Sequence, residues 1–227
     1  MTQIAARLAH VRDRIRAAES RFDRPAGSVG LVAVSKTKPA ALIREALDAG
    51  QTDFGENYLQ EAADKQAAFA PNEVCWHFIG PLQSNKTKSV ATHFDWVHSV
   101  ERTKIARRLS EQRPEEMPPL NICLQVNVSD EASKSGLTPE AVAETAAAVA
   151  ELPRLRLRGL MCIPAPAEDV DSQRAPFRRL RELLEGLQGQ GLSVDTLSMG
   201  MSGDLEAAIA EGSTLVRVGS DIFGARE

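Results

Sequence analysis

The sequence predicts a single (β/α)8 barrel with an extra helix before its first strand. Eight short β-rich runs alternate with helix-like stretches along the chain, an order typical of parallel α/β folds. Several of these runs are apolar almost without interruption, as strands buried on both faces are. A length of 227 residues suits one domain, residues 1–227, and a doubly wound open sheet is the alternative architecture.

The chain opens with an amphipathic helix. Its apolar positions are spaced by four and three residues, and the arginines between them fall on other faces. These positions are Ile4, Leu8, Val11, Ile15 and Ala18. The helix comes before any strand and is additional to the repeating units.

The eight predicted strands follow at intervals that leave room for a helix between neighbours. Strands that pair in parallel need such crossover connections, which are usually helical. The strands are Leu31–Ser35, Thr52–Gly55, Cys75–Gly80, Asp95–Ser99, Asn121–Asn127, Leu157–Cys162, Thr196–Gly200 and Leu215–Gly219.

The connecting segments carry start and stop signals. The first helix has Pro39 near its start and Gly50 at its end, the usual asymmetry of helix termini. The further predictions are a helix from Thr138 to Glu151, a helix over the stripe Phe177–Leu187 closed by the glycines at 186, 189 and 191, and exposed loops at Arg113–Pro119 and Pro164–Asp171.

Charge and composition argue against several classes of protein. The 27 basic residues nearly balance the 31 acidic ones, and the formal net charge of −4 provides no basic field for nucleic acid or a membrane surface. The first residues contain no apolar signal segment, and nowhere do about 18 apolar residues run together. Cys75, Cys123 and Cys162 form no Cys-x-x-Cys pair, which indicates reduced core thiols in a cytoplasmic protein.

A lysine at the end of the first strand is a candidate nucleophile. Function in such barrels collects at the carboxyl ends of the strands, and Lys36 follows the run ending at Ser35. A lysine partly removed from water has a lowered pKa and can form a Schiff base with an aldehyde. The alternative is a solvated loop lysine.

The loops after strands seven and eight are candidates for binding a phosphate dianion. Ser202 lies in a glycine-rich turn before a helix, where backbone N–H groups are available, although Ser202 or Asp204 could simply cap that helix. We expect Asp204 to cap outward, away from an anion. Arg217 lies between apolar residues and needs an anionic or acceptor partner, such as an internal salt bridge, and Gly219-Ser220 provides a second small loop.

Other signatures of chemistry are weak or absent. The sequence has no phosphate-binding P-loop, dinucleotide fingerprint, His-Glu-x-x-His motif or Gly-x-Ser-x-Gly motif. Ser35 and Lys38 match a Ser-x-x-Lys motif, which leaves an acyl-transfer hydrolase as an alternative. His93 and His98 are poorly spaced as ligands, and no metal site is expected. Trp76 and Phe78 are interpreted as core residues.

Taken together, the motifs resemble the pyridoxal phosphate homeostasis proteins, single-domain relatives of the amino-terminal barrel of alanine racemase. The resemblance extends over nearly the whole chain and is much more specific than any one motif. It rests on Leu31–Thr37, Phe54–Asn57, His77–Lys86, His98–Val100, Lys134–Gly136, Arg158–Met161, Leu197–Ser202 and Arg217–Gly224.

The resemblance implies a cofactor and a set of residues that bind it. Pyridoxal 5′-phosphate (PLP) would be held as a reversible Schiff base on Lys36, with Arg217 as the partner of the pyridine nitrogen. Three residues would bind the phosphate and two would line the ring pocket. The phosphate ligands are Ser202, Gly219 and Ser220, and the ring-pocket residues are Asn57 and Met199.

The same resemblance implies a carrier without robust turnover. An arginine cannot give up its proton to the pyridine nitrogen, so the ring is a weaker electron sink. Racemisation also needs a second acid/base group, and the chain has one tyrosine, Tyr58. We expect a monomer that buffers PLP or delivers it to PLP-requiring apo-enzymes. The alternatives are a PLP-dependent amino-acid racemase and the Ser-x-x-Lys hydrolase.

Overall fold

The computed structural model describes residues 2–129 and 135–224, so Lys134 of the sequence motif lies outside the described residues. Eight parallel strands close into a barrel, each paired with the next along the chain. The strands are β1 (Gly30–Val34), β2 (Asp53–Glu56), β3 (Cys75–Phe78), β4 (Trp96–Val100), β5 (Leu120–Gln125), β6 (Leu155–Met161), β7 (Thr196–Ser198) and β8 (Leu215–Val218).

Pairing of the last strand with the first closes the barrel. Val32 of β1 lies in register with Arg217 of β8, and Ala33 with Val218. The predicted (β/α)8 barrel is thereby confirmed, and the open-sheet alternative is wrong.

Helices cover the outside of the barrel and alternate with the strands. They are α1 (Gln3–Arg21), α2 (Ala40–Asp48), α3 (Leu59–Gln66), α4 (Thr87–His93), α5 (Thr103–Gln112), α6 (Val142–Ala150), α7 (Val170–Gly189), α8 (Leu205–Ala210) and α9 (Ser220–Phe223). In the described part of the chain, no helix is long and apolar enough to cross a membrane.

Helix α1 is the extra helix that the sequence predicts. All five of its predicted apolar positions are buried, and Thr2 caps its start by accepting a hydrogen bond from the Ala5 amide. The helix packs on α8 and α9. It thereby lies against the elements that follow β7 and β8.

Helix α7 is longer than the sequence predicts. It begins at Val170, inside the expected loop Pro164–Asp171, and Asp169 caps it. It also continues through Pro176 and Gly186. The reason is tertiary packing, because Phe177, Leu180, Leu184 and Leu187 are buried and hold the helix together despite these weak positions.

The strands place different chemistry on their two faces. Trp76 and Phe78 of β3 belong to the hydrophobic core, as predicted, and Phe78 packs edge-on against Phe94. Between them, His77 contacts His98 of β4, which in turn reaches Ser198 of β7 across the barrel. The barrel interior is therefore partly polar, which the apolar character of the strand runs did not indicate.

Candidate cofactor-binding site

A cavity of about 270 Å³ opens at the carboxyl ends of β1, β7 and β8. Its lining brings together five of the seven predicted binding residues, which are Lys36, Ser202, Arg217, Gly219 and Ser220. The barrel topology causes this meeting, because β8 lies between β7 and β1. Residues almost two hundred positions apart in sequence thus share one cavity.

The segment that carries Lys36 is held in a tight turn. The Lys38 amide donates to Ser35 O at 3.0 Å, and the Thr37 amide donates to Glu61 Oε2 at 2.9 Å. Thr37 has a φ of 63°, a left-handed conformation that is uncommon for a β-branched residue. Backbone strain of this kind persists only where surrounding contacts impose it. The contacts with Ser35 and Glu61 therefore fix the backbone next to Lys36.

A buried ion pair between Lys65 and Glu56 holds Ser35, the residue at which that turn begins. Lys65 Nζ lies 2.8 Å from Glu56 Oε1 and donates to Ser35 O at 2.8 Å. The Ser35 hydroxyl donates to the same Glu56 oxygen at 2.5 Å. Burial raises the pKa of Glu56, although the hydrogen bonds from Lys65 and Ser35 oppose that rise. Ser35 is fully buried, so the Ser-x-x-Lys hydrolase alternative has no accessible nucleophile.

Two serine hydroxyls face each other where the loops after β7 and β8 meet. Ser202 Oγ and Ser220 Oγ are 3.2 Å apart. Gly219 allows the β8 loop to approach β1, since a Cβ there would lie 3.1 Å from Val34 O. Gly200 has a φ of +97°, and its added Cβ would meet Ala208 Cβ at 2.6 Å. Gly200 is therefore needed for the β7 loop, and Gly219 avoids a tight contact between the β8 loop and β1.

Arg14 of α1 donates hydrogen bonds to the segments that follow β7 and β8. Arg14 donates to Ser202 O at 3.0 Å, to Asp221 Oδ2 at 2.7 Å and to both carboxylate oxygens of Glu206. The hydrogen bonds that Arg14 donates to the Glu206 carboxylate are the main reason that the pKa of Arg14 is raised. Sequence reasoning missed this residue, because an arginine on the polar face of α1 gives no signal that it reaches the loops after β7 and β8.

Asp204 does not line the cavity with Lys36. It occupies the N-cap position of α8, as expected, but its carboxylate accepts from the Met201 amide at 2.6 Å and makes no bond to the helix itself. Burial raises the pKa of Asp204. Asp204 lines a neighbouring cleft together with Pro164 and Gln173.

Arg217 is buried and finds the acceptor partners that the sequence required. Nη1 donates to Ser198 Oγ at 2.7 Å and Nη2 to Cys162 O at 2.9 Å. Burial lowers the pKa of the guanidinium, which nevertheless stays protonated at neutral pH. Its direct partners among the described residues are neutral oxygens, so the internal salt bridge is not observed.

Ser198 connects Arg217 to a line of polar side chains across the barrel. Ser198 Oγ lies 2.7 Å from His98 Nδ1, and His98 Nε2 lies 2.9 Å from His77 Nδ1. His77 Nε2 lies 3.0 Å from Asp53 Oδ1. We call these five residues the polar column.

Two proton arrangements satisfy the hydrogen bonds of the polar column. A guanidinium only donates, so Ser198 Oγ accepts from Arg217, and the hydroxyl then either donates to His98 Nδ1 or accepts from it. In the first arrangement His98 Nε2–H donates to His77, and in the second His77 Nδ1–H donates to His98. Burial, with the nearby His77 and Arg217, lowers the pKa of His98 well below 6.5. The ring is therefore neutral.

Asn57 and Met199, the predicted ring-pocket residues, lie outside the cavity lining. Asn57 follows β2 and lines a different cavity with Tyr58 and Phe78. Its buried Oδ1 has no hydrogen-bond partner among the described residues. Met199 follows β7 and is fully buried in the hydrophobic core. Their contact with a ligand stays a prediction.

The chain matches a known family over nearly its whole length. The family model for the alanine racemase N-terminal domain matches residues 6–227. A pyridoxal phosphate homeostasis protein of Pseudomonas aeruginosa is 62% identical over 227 residues, which cover 100% of this chain and 97% of the relative. A pyridoxal phosphate homeostasis protein of Escherichia coli K12 is 56% identical over 230 residues, with 100% and 98% covered.

Solved structures show the same fold. PipY of Synechococcus elongatus with PLP bound superposes with a TM-score of 0.85 at 40% identity, and 97% of this chain and 100% of PipY are covered. An alanine racemase of Corynebacterium glutamicum has a TM-score of 0.70 at 14% identity, with 99% of this chain and 60% of the racemase covered. The second likeness concerns the fold alone.

Proposed function

The chain belongs to the pyridoxal phosphate homeostasis protein family, and from this premise we propose that it binds PLP reversibly beside Lys36 and buffers or delivers the cofactor. One observation carries the proposal. A single cavity is lined by a strand-end lysine, by a pair of serine hydroxyls and by a buried arginine. These groups match the three reactive parts of PLP.

The chemistry of the ligand fits the residues present. PLP supplies an aldehyde that an amine can attack reversibly, a phosphate dianion and a pyridine nitrogen. Lys36 provides the amine, and Ser202 and Ser220 provide hydroxyl donors for the phosphate, with Gly219 leaving space for the loop backbone. Hydrogen bonds to a charged acceptor contribute about 1.5–3 kcal/mol each, so the phosphate is a large part of the affinity.

Arg217 suits the pyridine nitrogen because it has donors to spare. A guanidinium carries five N–H groups, and Ser198 and Cys162 O each take one of them. Arg217 also lines the cavity that contains Lys36. As a donor that keeps its own proton, it holds the pyridine nitrogen unprotonated and limits the electron-withdrawing power of the ring.

The lining of the cavity favours a carrier over a racemase. Its ionisable side chains, among the described residues, are Lys36, Lys38 and Arg217. Tyr58 lines a different cavity and is half-exposed, and His77 is buried in the polar column. Neither therefore stands beside Lys36 as the second acid/base group that two-base racemisation requires.

We also propose a setting for this function. The three cysteines are free thiols, which suits the reducing cytoplasm. The recipients are PLP-requiring apo-enzymes, and the protein acts as a monomer that binds neither nucleic acid nor membrane.

Borohydride trapping tests the site. Reduction of the PLP-loaded protein is expected to fix one phosphopyridoxyl group on Lys36, located by mass spectrometry of peptides. Lys36→Ala should lose both the label and the visible absorption of the bound cofactor. Lys38→Ala is the matched control, because Lys38 lines the same cavity and should leave the label in place. A label found mainly on Lys38 or Lys86 would contradict the assignment.

A further inference from the structure

Three side chains of different chemistry meet at the end of the barrel opposite Lys36. Asp53 and Cys75 are the first residues of β2 and β3 and lie directly in register. His77 follows two residues later on the same face of β3. One ligand atom from each of the three lies within 4.8 Å of the others.

The distances between these atoms suit a tetrahedral metal. His77 Nε2 is 3.0 Å from Asp53 Oδ1 and 3.4 Å from Cys75 Sγ. Bonds of about 2.0–2.3 Å from zinc place tetrahedral ligands roughly 3.3–3.8 Å apart. A carboxylate, a thiolate and an imidazole are also the three ligand types that zinc uses in proteins. Small side-chain movements are therefore enough to form three bonds.

The surroundings of the cluster support a metal with an open fourth position. The Asp53 side chain is 39% exposed, so water can reach the site. His77 stacks on Trp96 with ring centroids 5.5 Å apart, and its other nitrogen is held by His98. Metal-binding histidines are commonly oriented through their second nitrogen in this way.

The charges that act on the Cys75 thiol are negative and favour a cation. Asp95 lies close to the cluster and accepts a hydrogen bond from the Trp76 amide at 2.8 Å. Burial, together with the negative charges of Asp53 and Asp95, raises the pKa of the Cys75 thiol. Without a cation the thiol therefore keeps its proton, so binding competes with that proton.

We propose that Asp53, Cys75 and His77 bind a divalent cation of the zinc class at the amino-terminal end of the barrel. The Cys75 thiol loses its proton to solvent as the sulfur–metal bond forms. His77 stays neutral with its proton on Nδ1, where it donates to His98 Nε2, and His98 Nδ1 then donates to Ser198. Net release is one proton per cation, and no oxidation is involved.

Calorimetry and elemental analysis of the full chain test the proposal. After treatment with a chelator and its removal, the protein should bind one Zn²⁺ and release about one proton at pH 7. Cobalt(II) should give a thiolate-to-metal absorption band. Cys75→Ala and Asp53→Asn should each weaken Zn²⁺ binding at least about 10-fold, and Cys75→Ala should lose the cobalt band.

The controls separate loss of a ligand from loss of the fold. Cys123→Ala removes a buried thiol of β5 that is not a ligand and should bind Zn²⁺ like the parent protein. Circular dichroism and urea unfolding report whether each variant keeps its barrel, and Cys75→Ser replaces Cys75→Ala if the latter does not fold. Absence of Zn²⁺ binding, or equal binding by parent, Cys75 and Asp53 variants, would overturn the proposal.

Discussion

His98 makes the stability of the protein depend on pH. In the unfolded chain a histidine titrates near 6.5, whereas burial, His77 and Arg217 hold the pKa of folded His98 well below that value. Below pH 6.5 the unfolded chain therefore binds a proton at His98 that the folded protein does not bind. The free energy of unfolding should fall by up to about 1.4 kcal/mol per pH unit as the pH drops toward the folded pKa.

Urea unfolding at pH 7.5, 6.5 and 5.5 measures this dependence. His98→Gln removes the titrating group, so the variant should lose less stability between pH 6.5 and 5.5 than the parent protein, whatever its stability at pH 7.5. His93→Gln, which changes an exposed histidine at the end of α4, is the control and should keep the parent slope. Equal slopes for all three proteins would show that His98 does not control acid stability.

At the scale of elements, the apolar pattern of the sequence predicts some features of the fold, whereas others depend on contacts between elements. All eight strands and the core face of α1 could be predicted, since their apolar spacing records how they pack. The full extent of α7 could not be predicted, because Pro176 and Gly186 locally disfavour a helix that buried leucines nevertheless stabilise. Arg14 and the Asp53–Cys75–His77 cluster were missed because their partners come from different elements.

Arg14 provides a test of how the elements position the loops after β7 and β8, which we propose to bind the phosphate. Arg14→Gln removes the charge that joins the β7 loop, α8 and α9, so Ser202 and Ser220 should be held less rigidly. We expect PLP affinity to fall about 10-fold, equivalent to about 1.4 kcal/mol. Pyridoxal, which lacks the phosphate, should lose much less. Fluorescence titration with both ligands measures the difference.

Arg12→Gln is the matched control for that experiment. Arg12 also lies on α1 and donates two hydrogen bonds to backbone oxygens, but these belong to Ala49 and Gly50 at the end of α2. Its loss should leave the affinity for PLP unchanged. Equal losses of PLP and pyridoxal affinity in Arg14→Gln would contradict a role at the phosphate loops.

For the whole molecule, the sequence predicted the barrel and most of the cavity because strand order alone brings Lys36 beside the loops of β7 and β8. It could not indicate the polar column. The residues of that column are far apart in the chain. Each of them, taken alone, is interpreted as a buried residue or as a loop residue. Only closure of the sheet places His98 of β4 within 2.7 Å of Ser198.

The carrier role predicts the behaviour of the intact protein with amino acids. If Arg217 contacts the pyridine nitrogen, as proposed, and no second acid/base group lies beside Lys36 among the described residues, removal of an α-proton should stay slow. General acid–base groups contribute about 10²–10⁴-fold, so turnover should lie far below usual enzymatic rates of about 1–10³ s⁻¹. In deuterium oxide, L-alanine should gain almost no α-deuterium and no D-alanine should form.

The complementary measurement is transfer of the cofactor. Loaded protein mixed with a PLP-requiring apo-enzyme should restore the activity of that enzyme, whereas Lys36→Ala treated in the same way should not. Rapid deuterium incorporation that depends on Lys36, accompanied by D-alanine, would establish a racemase and refute the carrier role.

The polar column has charges of opposite sign at its two ends. Arg217, a fixed cation, lines the cavity together with Lys36 and Lys38, and the carboxylate of Asp53 lies at the opposite end of the barrel. The end with the cavity is therefore locally positive, although the chain as a whole carries a charge of −4. An anion approaching from solvent meets attraction at one mouth of the barrel and repulsion at the other.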